Sequence, residues 1–257
     1  KHTITLNLNT FLQTTLLFSG HNYGDQEDRL DNNYNPQFNY KSAYTTKRIT
    51  LASVINNKLN AKNNLRSGVY LKQYAYNLTD RYLDKETNQI EEPLNSTSHA
   101  RTLQAFSQWS YRPIEKLTLN SGVHLLFLND NKTFSVEPRI SAQYNLSEKQ
   151  SIGVYQAQIQ QENGILTQPN LNLGFNKAHH FVLAFDRSLT KYLRVKAETY
   201  YQQLFNVAVE NDITSPVSSL VVEDGYATVA MVNEGVGKNY GVELTIEQFL
   251  HNNLYFL

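Results

Sequence analysis

The sequence predicts an all-β chain, an antiparallel up-and-down transmembrane β-barrel. Three observations carry that expectation. Apolar and polar residues alternate with a period of two along most of the 257 residues, the pattern of strands wetted on one face. The alternating runs reach about ten to sixteen residues, well past the usual five or six of a globular strand and enough for the ≈ 9–11 of a tilted membrane strand. Short and long connections alternate, so a meander would gather its short turns at one end and its long loops at the other.

The elements follow in order. Ile4, Leu6, Leu8, Leu12, Leu16 and Phe18 share a parity opposite Thr3, Thr5, Asn7, Asn9 and Gln13, which predicts one long first strand. The stretch GHNYGDQEDRLDNNYNPQFNY, residues 20–40, is rich in Gly, Asn, Asp and Pro without periodicity and reads as a loop. Residues 44–59 and 65–78 form a hairpin around NAKNN, and a second polar loop is expected over residues 79–99. The strand at 100–112 sets Leu103, Ala105, Trp109 and Tyr111 against Thr102, Gln104, Gln108 and Ser110. The turn PIEK leads into 117–129, where Leu117, Leu119, Val123, Leu125 and Phe127 oppose Thr118, Asn120 and His124. NDNK connects to the cleanest strand, 134–146, with Phe134, Val136, Pro138, Ile140, Ala142, Tyr144 and Leu146 outward. SEKQ precedes 151–161, where Gln156, Gln158 and Gln160 share a face, and a loop over 162–177 follows. From Phe181, FVLAFDRSL and LRVKAETYYQQLFNVAV are two alternating strands about the turn TKY. The longest loop is expected over about 210–238, then a strand at 239–250, the turn HNN, and the start of another strand.

That makes about ten strands and the beginning of an eleventh. Single-chain bacterial barrels close with even numbers, and open strand edges are prohibitive in lipid. The chain is therefore expected to be a fragment of a larger barrel. No initiator Met, charged n-region or apolar h-region stands at Lys1, so no signal peptide is expected within it.

Composition narrows the function. The 23 basic and 23 acidic side chains cancel, which argues against nucleic acid as a partner. Seventeen Tyr and 12 Phe suit strands. Zero Cys removes disulfides, thiol chemistry and Cys-based zinc sites. Mean hydropathy is −0.48 and no run approaches the ~18 apolar residues of a membrane helix, which leaves membrane strands untouched because their faces alternate.

From about Pro138 the chain resembles a known family. EPRISAQYNLSEKQSIGVYQAQIQQ is similar to a strand–turn–strand segment of TonB-dependent outer-membrane receptors, especially those of Bacteroidetes-type bacteria. PNLNLGFNKAHHFVLAFDRSLTKYLRVKAETYYQQLFNVAVE and NEGVGKNYGVELTIEQFLHNNLYFL resemble the segments that follow in that family. The likeness is specific over residues 138–257 and rests on hairpin layout over 1–137. It implies a barrel of about 22 strands with a plugged lumen, of which residues 1–257 would be a middle part, without the plug domain and final strands. It implies import of a scarce extracellular solute (siderophore, cobalamin, glycan or peptide) and no cofactor. Its implied partners are outer-membrane lipid, the TonB–ExbB–ExbD system acting through the plug, the extracellular small-molecule or glycan ligand, and a surface lipoprotein.

The candidate ligand-contacting residues are polar ones expected to face the lumen: Tyr74, Tyr76, Glu137, Arg139, Gln158, Gln160 and Gln202. Glu137 and Arg139 share a parity and lie within reach of each other. A solvated lumen wall explains the same polarity. His179–His180 lacks ligand spacing, and DQED and NDNK lack the Gly and terminal Glu of a calcium loop. The glycines of GVGKNYG precede a strand instead of linking strand to helix, and are expected to let the chain turn into the barrel. No Ser–His spacing or nucleophile elbow suggests an enzyme. A passive porin-like channel and a soluble β-rich adhesin or ligand-binding module stay open as alternatives.

Overall fold

The structure, a computed structural model, describes residues 1–161, 170–221 and 229–256, with the side chains of 156–161 outside that description. Twelve strands form one antiparallel sheet in sequence order. They are β1 (His2–Asn7), β2 (Thr10–Leu30), β3 (Pro36–Lys58), β4 (Asn63–Leu83), β5 (Ile90–Ile114) and β6 (Leu117–Leu128). The second half comprises β7 (Thr133–Ser147), β8 (Gln150–Gln161), β9 (Asn176–Ser188), β10 (Leu193–Glu210), β11 (Met231–His251) and β12 (Leu254–Phe256). Connections at residues 8–9, 59–62, 115–116, 148–149, 189–192 and 252–253 are two to four residues long and share one end, the turn end. Those at 31–35, 84–89, 129–132, 162–175 and 211–230 share the other, the loop end. The sorting of short turns from longer loops is thus as predicted.

Three expectations are corrected. The first strand is two: a turn at residues 8–9 folds β1 onto β2, pairing Ile4 with Leu12 and His2 with Thr14. Each pair sums to an even number, so parity runs unbroken through the turn and hides it. The loops expected over 20–40 and 79–99 are mostly strand, because β2 continues to Leu30, β3 starts at Pro36, β4 reaches Leu83 and β5 starts at Ile90. These extensions hydrogen-bond to each other while nearly all of their side chains, Leu94 excepted, are exposed or half-exposed, so little selects alternation. The loop after β10 ends at Met231, and the glycines Gly235, Gly237 and Gly241 lie inside β11. Gly235 serves close approach, since a Cβ there would sit 2.6 Å from Val209 Cγ1 and 2.9 Å from the Val207 carbonyl oxygen.

Register sorts the residues into two faces. One cross-strand row runs Leu16, Leu51, Leu71, Leu103, Phe127 and Phe134 over β2 to β7. This apolar face is open: Leu16 is 55% exposed, Leu71 50% and Phe134 55%. The other face carries the row Val54, Gly68, Phe106, His124 and Glu137. A soluble module would close its apolar face over a core, whereas here side chains from six adjacent strands are presented outward.

Buried apolar side chains gather in small groups on the polar face toward the loop end. Leu78 and Leu94 pack with Tyr44 and Tyr76, Phe175 covers Leu126 and Leu128, and Leu173 meets Ala208 and Met231. Proline marks a limit in the ladder. The β7–β8 register starts at Arg139–Ala157, and the next residue of β7, Pro138, has no N–H to donate.

Candidate functional site

Strand pairing builds the polar face's central cluster. Residues i and i+2 of a strand point the same way, so Glu137 and Arg139 emerge side by side from β7. Arg139 Nη2 donates to Glu137 Oε2 at 2.7 Å. The β6–β7 register sets His124 opposite Glu137, with Nδ1 3.2 Å from Oε1. The carboxylate is 2% exposed and Arg139 43%, so the anion is sunk in the wall and the cation reaches outward. Beside them lies a cavity of about 350 Å³, bordered by Arg66, Tyr70, Phe106, Gln108, Asn120 and Tyr155. Arg66 lies over the Phe106 ring, 5.7 Å from its centroid. Gly122 lets two strands close here: a Cβ would fall 2.8 Å from the Ser107 carbonyl oxygen.

The other candidates are distributed along the wall. Tyr74 and Tyr76 stack with centroids 6.0 Å apart and planes 4° from parallel. They stand six and eight residues up β4 from Gly68, the partner row of Glu137, roughly 20–26 Å nearer the loop end. Tyr76 also packs against the Leu78–Leu94 pair. Nearby, buried Ser42 donates to Asp80 Oδ1 at 2.9 Å and accepts from Tyr44 at 3.1 Å. Gln202 is in register with His180 and, through Ala157, with Arg139 three strands away, about 14 Å. It accepts from Asn239 Nδ2 at 3.3 Å. The side chains of Gln158 and Gln160 lie outside the described residues. His179 and His180 part to opposite faces, His180 edge-on to Tyr155 and Tyr200, His179 stacked on Phe205.

Residues outside the predicted set complete the surface. Toward the turn end Arg194 bonds Asp186 and lies 3.6 Å from Glu247, and Lys196 meets Glu198 at 2.6 Å. Toward the loop end asparagines replace regular ladder bonds. Asn233 accepts from the Gly174 amide at 2.7 Å and donates to the carbonyls of Gly174 and Asn206. Asn170 donates to Val229 and accepts from Met231, Asn206 donates to Phe175, and Asn176 accepts from Ala208. This clasp ties residues 170–176 to β10 and β11, across a register shift between Leu204 and Val207. Among the described residues three polar atoms buried on this face (Arg48 Nε, Thr102 Oγ1 and Ser135 Oγ) find no hydrogen-bond partner, and buried His124 Nδ1 has only the Glu137 carboxylate beside it. Among the described residues no group of three or more His, Asp or Glu is placed to hold a metal ion.

The arrangement can do recognition chemistry: paired charges, stacked tyrosines, amides and unsatisfied polar atoms on one face of the sheet. No protein-family model and no curated protein sequence matches the chain. Solved structures do. The chain is similar to the ferric-catecholate import receptor Fiu of E. coli K12, with a TM-score of 0.71 and 12% identity over 97% of this chain and 44% of that one. The siderophore receptor PirA of Pseudomonas aeruginosa matches with a TM-score of 0.61 and 13% identity over 98% of this chain and 51% of that one. The RagAB peptide transporter matches with a TM-score of 0.65 and 13% identity over 98% of this chain and 33% of that one. The chain thus spans a third to a half of the length of these proteins, and it has the antiparallel, up-and-down fold of their β-barrel wall.

Proposed function

We propose that this chain forms part of the barrel wall of a TonB-dependent receptor of the Bacteroidetes type in a bacterial outer membrane. The observation that carries the reading is the open apolar row from Leu16 to Phe134 behind a polar face with buried, unpartnered polar atoms. Lipid satisfies the first and a plug or ligand the second. The turn end is then periplasmic and the loop end extracellular. The whole receptor binds a scarce solute at the extracellular side and releases it inward when TonB–ExbB–ExbD acts through a plug domain, with a surface lipoprotein assisting capture. Siderophore receptors and a peptide transporter among the similar structures fit import of small or peptidic ligands.

The wall's role in this reading is to present fixed partners. Because Glu137 is saturated by Arg139 and flanked by His124, it orients the Arg139 guanidinium instead of repelling an anionic ligand. Glu137, Arg139, Tyr74, Tyr76, Gln158, Gln160 and Gln202 are the proposed contacts to ligand or plug. The test is solute uptake by cells carrying the whole receptor, with and without a protonophore. Uptake that stops when the proton gradient collapses is the expected result. Uptake that continues unchanged would leave the passive porin-like channel in its place.

A further inference from the structure

The apolar face is indented toward its loop end, and the rim there is cationic. A groove of about 430 Å³ lies over β3 to β6, floored by Ile49, Leu51, Leu71, Leu103 and Phe127. The floor residues Leu51, Leu71, Leu103 and Phe127 are one cross-strand row. The next row toward the loop end is Ile49, Gln73 and Arg101, and the one after is Lys47, Ala75 and His99. Polarity therefore switches from wholly apolar to cationic over two rows, roughly 13 Å along the strands. Toward the turn end the outward residues of β5 after Leu103 are Ala105 and Ser107, with Trp109 beyond. These short side chains run between Val69 on β4 and Leu125 and Val123 on β6, and so extend the groove as a trough.

Two cations of the rim, Lys47 and Arg101, are uncommitted, unlike Arg139, Arg194 and Lys196 of the opposite face. Arg139, Arg194 and Lys196 each engage a carboxylate there. The Lys47 and Arg101 side chains are exposed and meet no acceptor among the described residues. Lys132, in the adjoining turn, donates to Asn129 Oδ1 at 3.1 Å. The carboxylate beside them, Asp130, accepts the Arg101 backbone N–H at 2.9 Å. Lys47 and Arg101 thus offer two free cations at the mouth of an apolar trough, where the one neighbouring carboxylate is held by a backbone amide.

We infer that this groove binds one acyl lipid with an anionic phosphate headgroup. Its chain lies along Leu71, Leu103 and Ala105 and its phosphate between Lys47 and Arg101. The inference rests on the membrane reading above, which puts the loop end in the outer leaflet. Register sets Lys47 and Arg101 two strands and two residues apart, about 12 Å between backbones, a gap that two long side chains span around a phosphate. Charge complementarity selects the lipid: a zwitterionic headgroup would bring its own cation to a cationic rim.

The experiment is native mass spectrometry of the detergent-purified protein mixed with phosphatidate or with phosphatidylcholine of the same chains. The wild type should retain phosphatidate at least tenfold over phosphatidylcholine. The K47Q/R101Q variant should lose that preference, and R187Q/K191Q, which removes two cations at the turn end, should keep it. A105F should lose retention of both lipids by filling the trough. Equal retention of the two lipids by the wild type, or an unchanged preference in K47Q/R101Q, would overturn the site, as would a detergent-stable dimer that excludes lipid. A protein monodisperse without detergent and binding neither lipid would overturn the membrane reading itself, a separable result.

Discussion

Arg139 should matter more to stability than Glu137, although the two make one ion pair. Removing Arg139 leaves a 2% exposed carboxylate with His124 alone, whereas removing the Glu137 charge leaves a guanidinium that is 43% exposed and can be hydrated. Breaking a fully buried pair costs about 3–5 kcal/mol. Half-exposure of one partner roughly halves that, so R139M should cost about 2 kcal/mol. E137Q keeps an acceptor for Arg139 and should cost about 0.5–1 kcal/mol. The double variant E137L/R139M removes both charges together and should lie within about 1 kcal/mol of wild type. The assay is guanidinium unfolding in detergent micelles, read by the fluorescence of the single tryptophan, Trp109. An E137Q cost equal to that of R139M, or a double variant that costs the sum of the singles, would refute this asymmetry.

Further predictions follow from close approach, the asparagine clasp and the loop aspartates. G122A should cost about 2 kcal/mol because its Cβ meets the Ser107 carbonyl at 2.8 Å, while G153A, 3.7 Å from the nearest atom, should stay within about 0.5 kcal/mol in the same titration. N233A removes three bonds between residues 174, 206 and 233, and should raise amide hydrogen exchange at Gly174 by about tenfold or more while leaving β4 unchanged. The amides of Asn35 and Asn33 hold the Asp31 carboxyl below its ordinary value, as Glu86 does for Asp84 and Thr214 for Asp212. Stabilisation from a depressed carboxyl is complete above the ordinary aspartate value and is lost as pH falls through the depressed one. Exchange at Asn33, Glu86 and Thr214 should therefore be flat at neutral pH, beyond the intrinsic trend, and rise only in acid. D212A should abolish that rise at Thr214 alone.

The fold was legible where one face meets a different solvent from the other. Phe134 to Leu146 alternates because each second residue is on the apolar face, and its strand appears with ends one residue longer on each side. Legibility failed where that contrast vanishes, in the extensions of β2 to β5, and where a turn preserves parity, at residues 8–9. In the site, Glu137 and Arg139 were legible because neighbours at i and i+2 need no register. His124 was visible only as a polar position, since its place beside Glu137 depends on the β6–β7 pairing. The clasp left no periodic signal: Asn170, Asn176 and Asn233 read singly as loop residues and Asn206 as one polar position of a strand, all far apart in sequence.

Trp109 reports directly on whether the open apolar face meets lipid. The residue is 43% exposed on that face, its ring stacks on Tyr111 at 5.4 Å, and Nε1 donates to Asn63 Oδ1 at 2.9 Å, close to the turn end. In bilayers of brominated lipid, Trp109 should be strongly quenched, more by bromines near the glycerol than by bromines at the chain ends, as for an aromatic at the membrane interface. A protein that stays monomeric in plain buffer with Trp109 unquenched at every bromine depth would contradict lipid contact at that face.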